Sequence, residues 1–463
     1  MNKESLNPFL ANNFAPVLDE LDCSNLEIIG EIPAELAGTY MRNGPNPQFS
    51  PLSYTYPYDG DGMIHAVYIA EGKAAYRNRF VQTKSLLKER QAGKALYGGV
   101  LRPQPMDPQW AEPEDEPVAF KNGAFIHVIR HGTHYLALSE SFPAYRINKE
   151  LETLGEWAPY VDEAPINLCA HMRLDPLSGE LWGINYALTP PYLTVYRFDK
   201  DGKPLQKWDI DKPHSSMLHD FVLTQKYVVI FDCPVIFDVQ QMMRGGEVLG
   251  WQPELGSRIG VMSRADGRIR WFDTEPFFVF HFANAYEKGP ELTIEYVRHE
   301  KMVLLTEDLA WEGLPPRFYR TRIHLEKNTV NHSQLDDRMV EFPRIRDECN
   351  SLMHRYVYTP TKTANNKNPR AFNALIKYDV LQQSSEVHEF GSTVEIGEAV
   401  FAPSAIQRAE DDGYLLLFVY DSVNKQSECV ILDARQMTQE PLARIKIPRR
   451  IPHGLHGSWM SAK

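Results

Sequence analysis

LTVYRFDKDG (193–202) sets how the rest of this chain reads. A run rich in Leu, Val, Tyr and Phe suits a pleated, half-buried surface, and it runs into Asp199-Lys200-Asp201-Gly202, where glycine can take the positive φ of a tight hairpin. Similar runs recur at YLALSES (135–141), YVVIFDC (227–233), RIGVMSR (258–264), FFVFHF (277–282), FNALIKYDV (372–380), YLLLFVYD (414–421) and CVILDAR (429–435), with Ala265-Asp266-Gly267 as a second hairpin turn. Helical pattern is confined to SLLKERQAGKAL (85–96) and DVQQMMRGGEVL (238–249). The chain is therefore expected to be all-β, and short strands at fairly even spacing imply a sandwich, a barrel or a propeller. No strict sequence repeat singles out the propeller. No Pro/Ser-rich linker divides the chain and AEPEDEP (111–117) reads as a solvated loop, so residues 1–463 are expected to form one domain with insertions.

At 43% apolar and 11% aromatic residues the 463-residue chain has ample material for a core, and its 24% of charged residues are of both signs. A formal net charge of −12 argues against a nucleic-acid partner, which calls for a basic face. No segment approaches the roughly 18 apolar residues that cross a bilayer, and MNKESLNPFLANNF lacks a charged region followed by an apolar one. Cys23, Cys169, Cys233, Cys349 and Cys429 are odd in number and far apart, which reads as free thiols of a cytoplasmic protein.

Most of the 15 histidines are expected to be structural. His127, His131 and His134 lie in HVIRHGTH, read as two strands around a turn at Gly132, and alternation would not aim all three at one point. Four others each sit in or beside an apolar, strand-like segment: His171 in NLCAHMRLDP, His219 in SSMLHDFVL, His281 in FFVFHFANAYE and His456 in IPHGLHGSW. One histidine contributed by each of four separate strands fits a metal at the axis of a radial β structure.

These segments resemble the carotenoid cleavage oxygenase family, in order and along nearly the whole chain. The resemblance is carried by GEIPAELAGTYMRNGPNPQF (30–49), YPYDGDGMIHAV (56–67), AHMRLDPLSGELWGINY (170–186), MLHDFVLTQKYVVIFDCPVIFD (217–238), VFHFANAYE (279–287), EFPRI (341–345), GEAVFAP (397–403), AEDDGYLLLFVYD (409–421) and IPHGLHGSW (451–459). It implies a seven-bladed β-propeller with a cap of helices and loops over a non-haem Fe(II) held by His171, His219, His281 and His456. It implies further that Glu140 orients His219, Glu341 orients His281 and Glu398 orients His456, leaving His171 without a carboxylate. A ligating imidazole donates its second N–H, and a carboxylate acceptor fixes the tautomer and the direction of the ring. His65 is expected to pack within a strand, Cys169 to stay outside the site, and His453 to line a tunnel or its rim.

Four imidazoles around an octahedral ion leave two positions open, and iron can pass an electron toward O2 where zinc cannot. Without a cosubstrate motif the electrons would come from a conjugated alkene, which O2 splits into two carbonyl products. Ile126 takes the place of a threonine that leans over an open metal position in relatives, and Gly123 and Phe125 beside it are further departures. Relatives that cleave hydroxystilbenes place a lysine where Ser139 stands and a tyrosine near Val100, with Tyr97 close by. The expected substrate is therefore a carotenoid or apocarotenoid, with a phenylpropanoid alkene such as a hydroxystilbene or isoeugenol as the alternative. Isomerohydrolase chemistry and a binding scaffold with a vestigial site are the readings outside oxygenation. CPVIFDVQQMMRGGEVLGW (233–251) corresponds to an apolar lip, which implies contact with a membrane surface from which a lipid-soluble substrate is collected.

Overall fold

The hairpin at 193–202 is one seam of a seven-bladed β-propeller. The computed structural model describes residues 7–113, 119–160, 164–238, 240–241, 248–302 and 314–462. Leu193–Phe198 pairs on one side with Leu181–Tyr186 and on the other with Pro204–Ile210, completing a four-stranded third blade with Arg173–Leu174. The Asp199 carboxylate accepts the amides of Asp201 and Lys203, at 2.9 and 2.8 Å, while Gly202 takes φ +84°. The second blade starts at His127–His131, the fourth at Val222–Leu223, the fifth at Phe282–Lys288 and the sixth at Tyr356–Thr361, each strand lying at one edge of its sheet.

The first and seventh blades close the ring by mixing the two ends of the chain. Gly457–Ser461 pairs with Gly38–Arg42, and Ile28–Gly30 pairs with Ala443–Ile447. Unfastening the ring therefore means breaking two sheets, each holding strands about 400 residues apart in sequence.

Strand burial explains the run-like rather than alternating pattern of the sequence. Middle strands such as Tyr227–Asp232 are buried on nearly every residue, because blades stack face to face, whereas the outer strand Pro204–Ile210 is mostly exposed. The apolar runs are blade interiors.

Among the described residues there is a single α-helix, Lys84–Ala92, capped at its start by Thr83 Oγ1, which accepts the Leu86 amide at 3.1 Å. It stops four residues before the end expected from sequence. Gly93 takes a left-handed conformation and the Glu89 carboxylate accepts the Leu96 amide at 2.9 Å, which turns the chain away. The helix expected over 238–249 falls largely on 239 and 242–247, outside the described residues, as does most of the acidic stretch 111–117. The flanks of the former, Val235–Phe237 and Leu249–Trp251, pair as a small antiparallel sheet. No described helix is long and apolar enough to cross a membrane.

Candidate metal centre and substrate cavity

Each of the four histidines singled out in the sequence precedes a strand at one edge of its blade. His171 lies just before Arg173–Leu174, His219 before Val222–Leu223, His281 before Phe282–Lys288 and His456 before Gly457–Ser461. The backbone fixes them there: the His456 amide donates to Ile126 O at 3.1 Å, and His281 O accepts the Val297 amide at 3.0 Å. One ring nitrogen of each lies within 4.8 Å of those of the others. The His171 ring centroid is 4.4 to 5.1 Å from the other three.

Three glutamates stand behind three of these rings. Glu341 Oε2 lies 2.5 Å from His281 Nδ1, and Glu398 Oε1 lies 2.9 Å from His456 Nδ1. Glu140 Oε2 is 2.8 Å from His219 Nδ1, a close contact that is out of line for a full hydrogen bond. Among the described residues His171 has no carboxylate partner, and its Nε2 lies 3.1 Å from His219 Nε2.

Residues the sequence reading passed over complete this layer. Glu341 also contacts His299 Nε2 at 2.8 Å, and Glu398 accepts from Arg344 Nη1 at 3.1 Å and from the Gly457 amide at 2.9 Å. The Phe342 ring stacks on His281 with centroids 5.0 Å apart, from a backbone at φ +52° that costs about 1 kcal/mol for a residue with a Cβ. Phe342 and Arg344 sit inside the quoted motif EFPRI, so the segment was visible while these roles were not; His299 had no local signal. His127 was set aside with its neighbours. His131 does point away, to Gly179 O at 3.0 Å, but the His127 ring lies 5.4 Å from that of His456. His65 bonds Tyr76 at 2.7 Å within its blade, and Cys169 faces Leu218 O at 3.5 Å.

The electrostatics favour neutral imidazoles at His171 and His456 and the protonated form at His219 as long as no cation is bound. Burial pushes His171 well below the ordinary imidazole value and His456 down to about 4. Burial would also lower His219, but the charge and proximity of Glu140, with Asp220 and Glu341 beyond, carry it above that value. For Glu341, burial is outweighed by His281 and His299, and for Glu398 by Arg344 and His456; both carboxyls sit well below the carboxylate range. With Nδ1 directed at a carboxylate, the second nitrogen of each ring carries a lone pair toward its neighbours, and His281 Nε2 is buried without a partner. Lone pairs converging in a dry site need a cation between them, so the residues fit a divalent metal held by four imidazoles.

A cavity of about 240 Å³ opens onto His219, His281 and His456. Its walls include Phe14, Tyr56, Tyr58, Phe280, Phe342 and Phe372. Phe125, Ile126, Ser139, Glu140 and His453 all line it, as do Tyr97 and Val100. His453 stacks against Phe14 at 4.3 Å and bonds Glu395 at 2.7 Å, which places it in the wall.

The family described as retinal pigment epithelial membrane protein matches residues 14–461. A carotenoid 9,10(9′,10′)-cleavage dioxygenase of Crocus sativus is 32% identical, over 98% of this chain and 89% of its own. A carotenoid cleavage oxygenase of Mycobacterium tuberculosis is also 32% identical, over 98% of both chains. The lignostilbene dioxygenase of Pseudomonas brassicacearum superposes with a TM-score of 0.91 at 29% identity, covering 99% of each chain. A cobalt-substituted apocarotenoid oxygenase of Synechocystis superposes with a TM-score of 0.87 at 28% identity, covering 96% of this chain and 97% of that one.

Proposed function

This chain belongs to the retinal pigment epithelial membrane protein family, that of the carotenoid cleavage oxygenases, and we propose that its four histidines hold one Fe(II) with which it splits a double bond of a carotenoid or apocarotenoid. It is an oxygenase of the alkene-cleaving kind. The observation that carries the iron reading is the set of four converging imidazoles, three of them backed by glutamates, at the end of an aromatic cavity. When bound, the iron supplies the means of activating O2, so that alkene and O2 together yield two carbonyl products with no further reductant.

The protein's own residues bind, orient and exclude water. His171, His219, His281 and His456 ligate; Glu140, Glu341 and Glu398 fix their rings. The aromatic walls hold an apolar chain against the site, and no side chain has to move a proton. Ile126 presents a branched apolar group to the same cavity.

Two features support the apocarotenoid substrate. Ser139 beside Glu140 brings no cation to the cavity, and Lys121 in its wall is engaged by Glu89 and Asp61, at 2.6 Å each. A phenolate beside Ser139 would lack the lysine's charge; the wall's other cation, Arg370, is exposed, and the donor left to it is a neutral hydroxyl such as Tyr58 Oη. The hydroxystilbene reading keeps one specific support, the presence of Tyr97 in the wall of a chain that superposes on a lignostilbene dioxygenase. Phe237 and Leu249, from the paired flanks of the lip segment, also line the cavity and support uptake of a lipid-soluble substrate through that rim. The test is aerobic incubation of the iron-loaded protein with carotenoids, apocarotenoids and hydroxystilbenes, the aldehydes being weighed by mass spectrometry. Cleavage of a 4-hydroxystilbene with apocarotenoids untouched would replace the substrate assignment.

A further inference from the structure

The four histidines stand between two cavities of different chemistry. Besides the aromatic one, a cavity of about 280 Å³ reaches His171, which the aromatic cavity does not touch, and shares His281 and His456 with it. Its walls carry Arg130, Arg173, Arg344, Asp220, Asp347 and Asn350. The charges are balanced: Arg173 pairs with Asp220 at 2.5 Å, and Arg344 with Asp347 at 3.3 Å and Glu398 at 3.1 Å. From the buried histidines it extends to Leu174, which is 40% exposed, and to exposed Arg130 and Asp347, so it opens to solvent.

His127 faces this polar cavity and not the aromatic one. It begins the first strand of the second blade, is 8% exposed, and its ring lies 6.0 Å from that of His171. Its Nε2 meets Gly457 O at 3.4 Å and Ser458 Oγ, which can give or take the hydrogen, at 3.3 Å, and its Nδ1 is buried with no partner. An imidazole that donates through Nε2 keeps a lone pair on Nδ1, which is the form that binds metals. A hydrated divalent cation passing through the aromatic cavity would shed its waters against mostly apolar side chains, since the outlying carboxylates of that wall, Asp59 and Glu89, are engaged by backbone amides and by Lys121. The polar cavity can replace them one at a time.

We propose that the polar cavity is the path by which Fe(II) reaches and leaves the four histidines, with His127 as a transient ligand that receives the ion before His171 and His456. The proposal rests on the metal reading of the four histidines, and the experiment separates the two. Under anaerobic conditions, Fe(II) uptake by metal-free protein is followed by quenched-time sampling, and release is followed by the colour of an Fe(II) chelator. The wild type should take up one Fe(II) per chain; no stoichiometric binding would sink the metal reading itself. Given that binding, His127→Ala should slow uptake and release together by about tenfold, the scale of losing a helper of the metal site, with the iron bound at equilibrium unchanged. Leu174→Trp, which narrows the mouth from an exposed position and does not disturb the core, should slow both rates in the same way. His127→Gln, which returns an oxygen donor, should recover part of the rate. Wild-type exchange in either folded variant overturns the proposal, folding being checked by circular dichroism.

Discussion

His171 and the other three histidines reach the same point by different means. His219, His281 and His456 each turn a ring nitrogen toward a glutamate, whereas among the described residues His171 has no carboxylate and sits among packed side chains, with Leu168, Ala170 and Met172 around it in one apolar cluster. Charge gives a reason for the asymmetry. Three glutamates, Arg344 and a divalent ion leave no net charge among them, and a fourth buried carboxylate would have nothing to offset it. Three ligands are thus held by electrostatics and hydrogen bonds, and one by packing. That contrast can be broken at several points.

The largest effect is expected from removing a carboxylate-backed ligand. His281→Ala should lower iron content and alkene cleavage by more than about 100-fold, since it deletes a donor and leaves Glu341 buried without one of its partners. Metal analysis of anaerobically purified protein checks this, and retention of a full iron complement would remove His281 from the site. Next come the glutamates. Glu341→Gln should weaken iron binding by roughly 100-fold and Glu140→Gln by roughly 10-fold, within the range for partners of metal-bound histidines. The order follows from geometry: Glu341 serves two imidazoles and the Phe342 amide, while Glu140 contacts one ring off-line. Equal losses in a competitive chelator titration would mean that charge alone matters.

What the sequence made legible divides along a similar line. The four histidines stand in apolar, strand-like segments that can be picked out along the chain, whereas the three glutamates came from the family resemblance, position by position. The strands were legible because blade interiors are apolar runs of ordinary length. Arg344 and His299 were not, because their roles depend on pairs 54 and 42 residues apart that only the closed ring brings together. The place of His127 beside the axis was not legible for a related reason. Alternation within HVIRHGTH correctly kept the three histidines from converging, but it could not say which of them faces the axis. The end of the helix at Gly93 was missed because the periodic pattern continues past a residue whose left-handed backbone stops it.

A pH experiment sharpens the contrast between His171 and His219 in the metal-free protein. His171 is held neutral in the fold, so between its folded value and about pH 6.5 the unfolded chain binds the extra proton and stability falls as pH falls. Glu341 and Glu398, depressed in the fold, add stability above about pH 4.3 that is lost on further acidification. His219 has the opposite sign, because a raised value adds stability below pH about 6.5 that is lost as pH rises through it. Urea midpoints should therefore decline from about pH 6.5 downward, less steeply in His171→Gln, whereas His219→Gln should lose the decline that sets in as pH rises above about 6.5. Parallel slopes in the two variants would show that the two rings share one environment.

The smallest predicted effect isolates the packing that holds His171. Gly183 lies in the middle strand of the third blade, Leu181–Tyr186, at a conformation any residue can adopt. A Cβ there would lie 3.1 Å from Leu168 Cδ2 and 3.1 Å from Met172 Cε, closer than ordinary contact, and both are flexible ends that can give by a few tenths of an ångström. Gly183→Ala should be nearly neutral in stability, because alanine gains about 0.5–1 kcal/mol over glycine in a strand while the crowding opposes it. Met172 adjoins His171 in sequence, so the displaced side chain presses on the one ligand without a carboxylate to restore its aim. Iron affinity should fall roughly two- to fivefold, a fraction of the loss on removing an orienting glutamate. Titration against a competing Fe(II) chelator reads this directly, beside a thermal midpoint that barely moves. An unchanged affinity would show that the backbone at His171 alone fixes its ring, and that the neighbouring side chains do not position it.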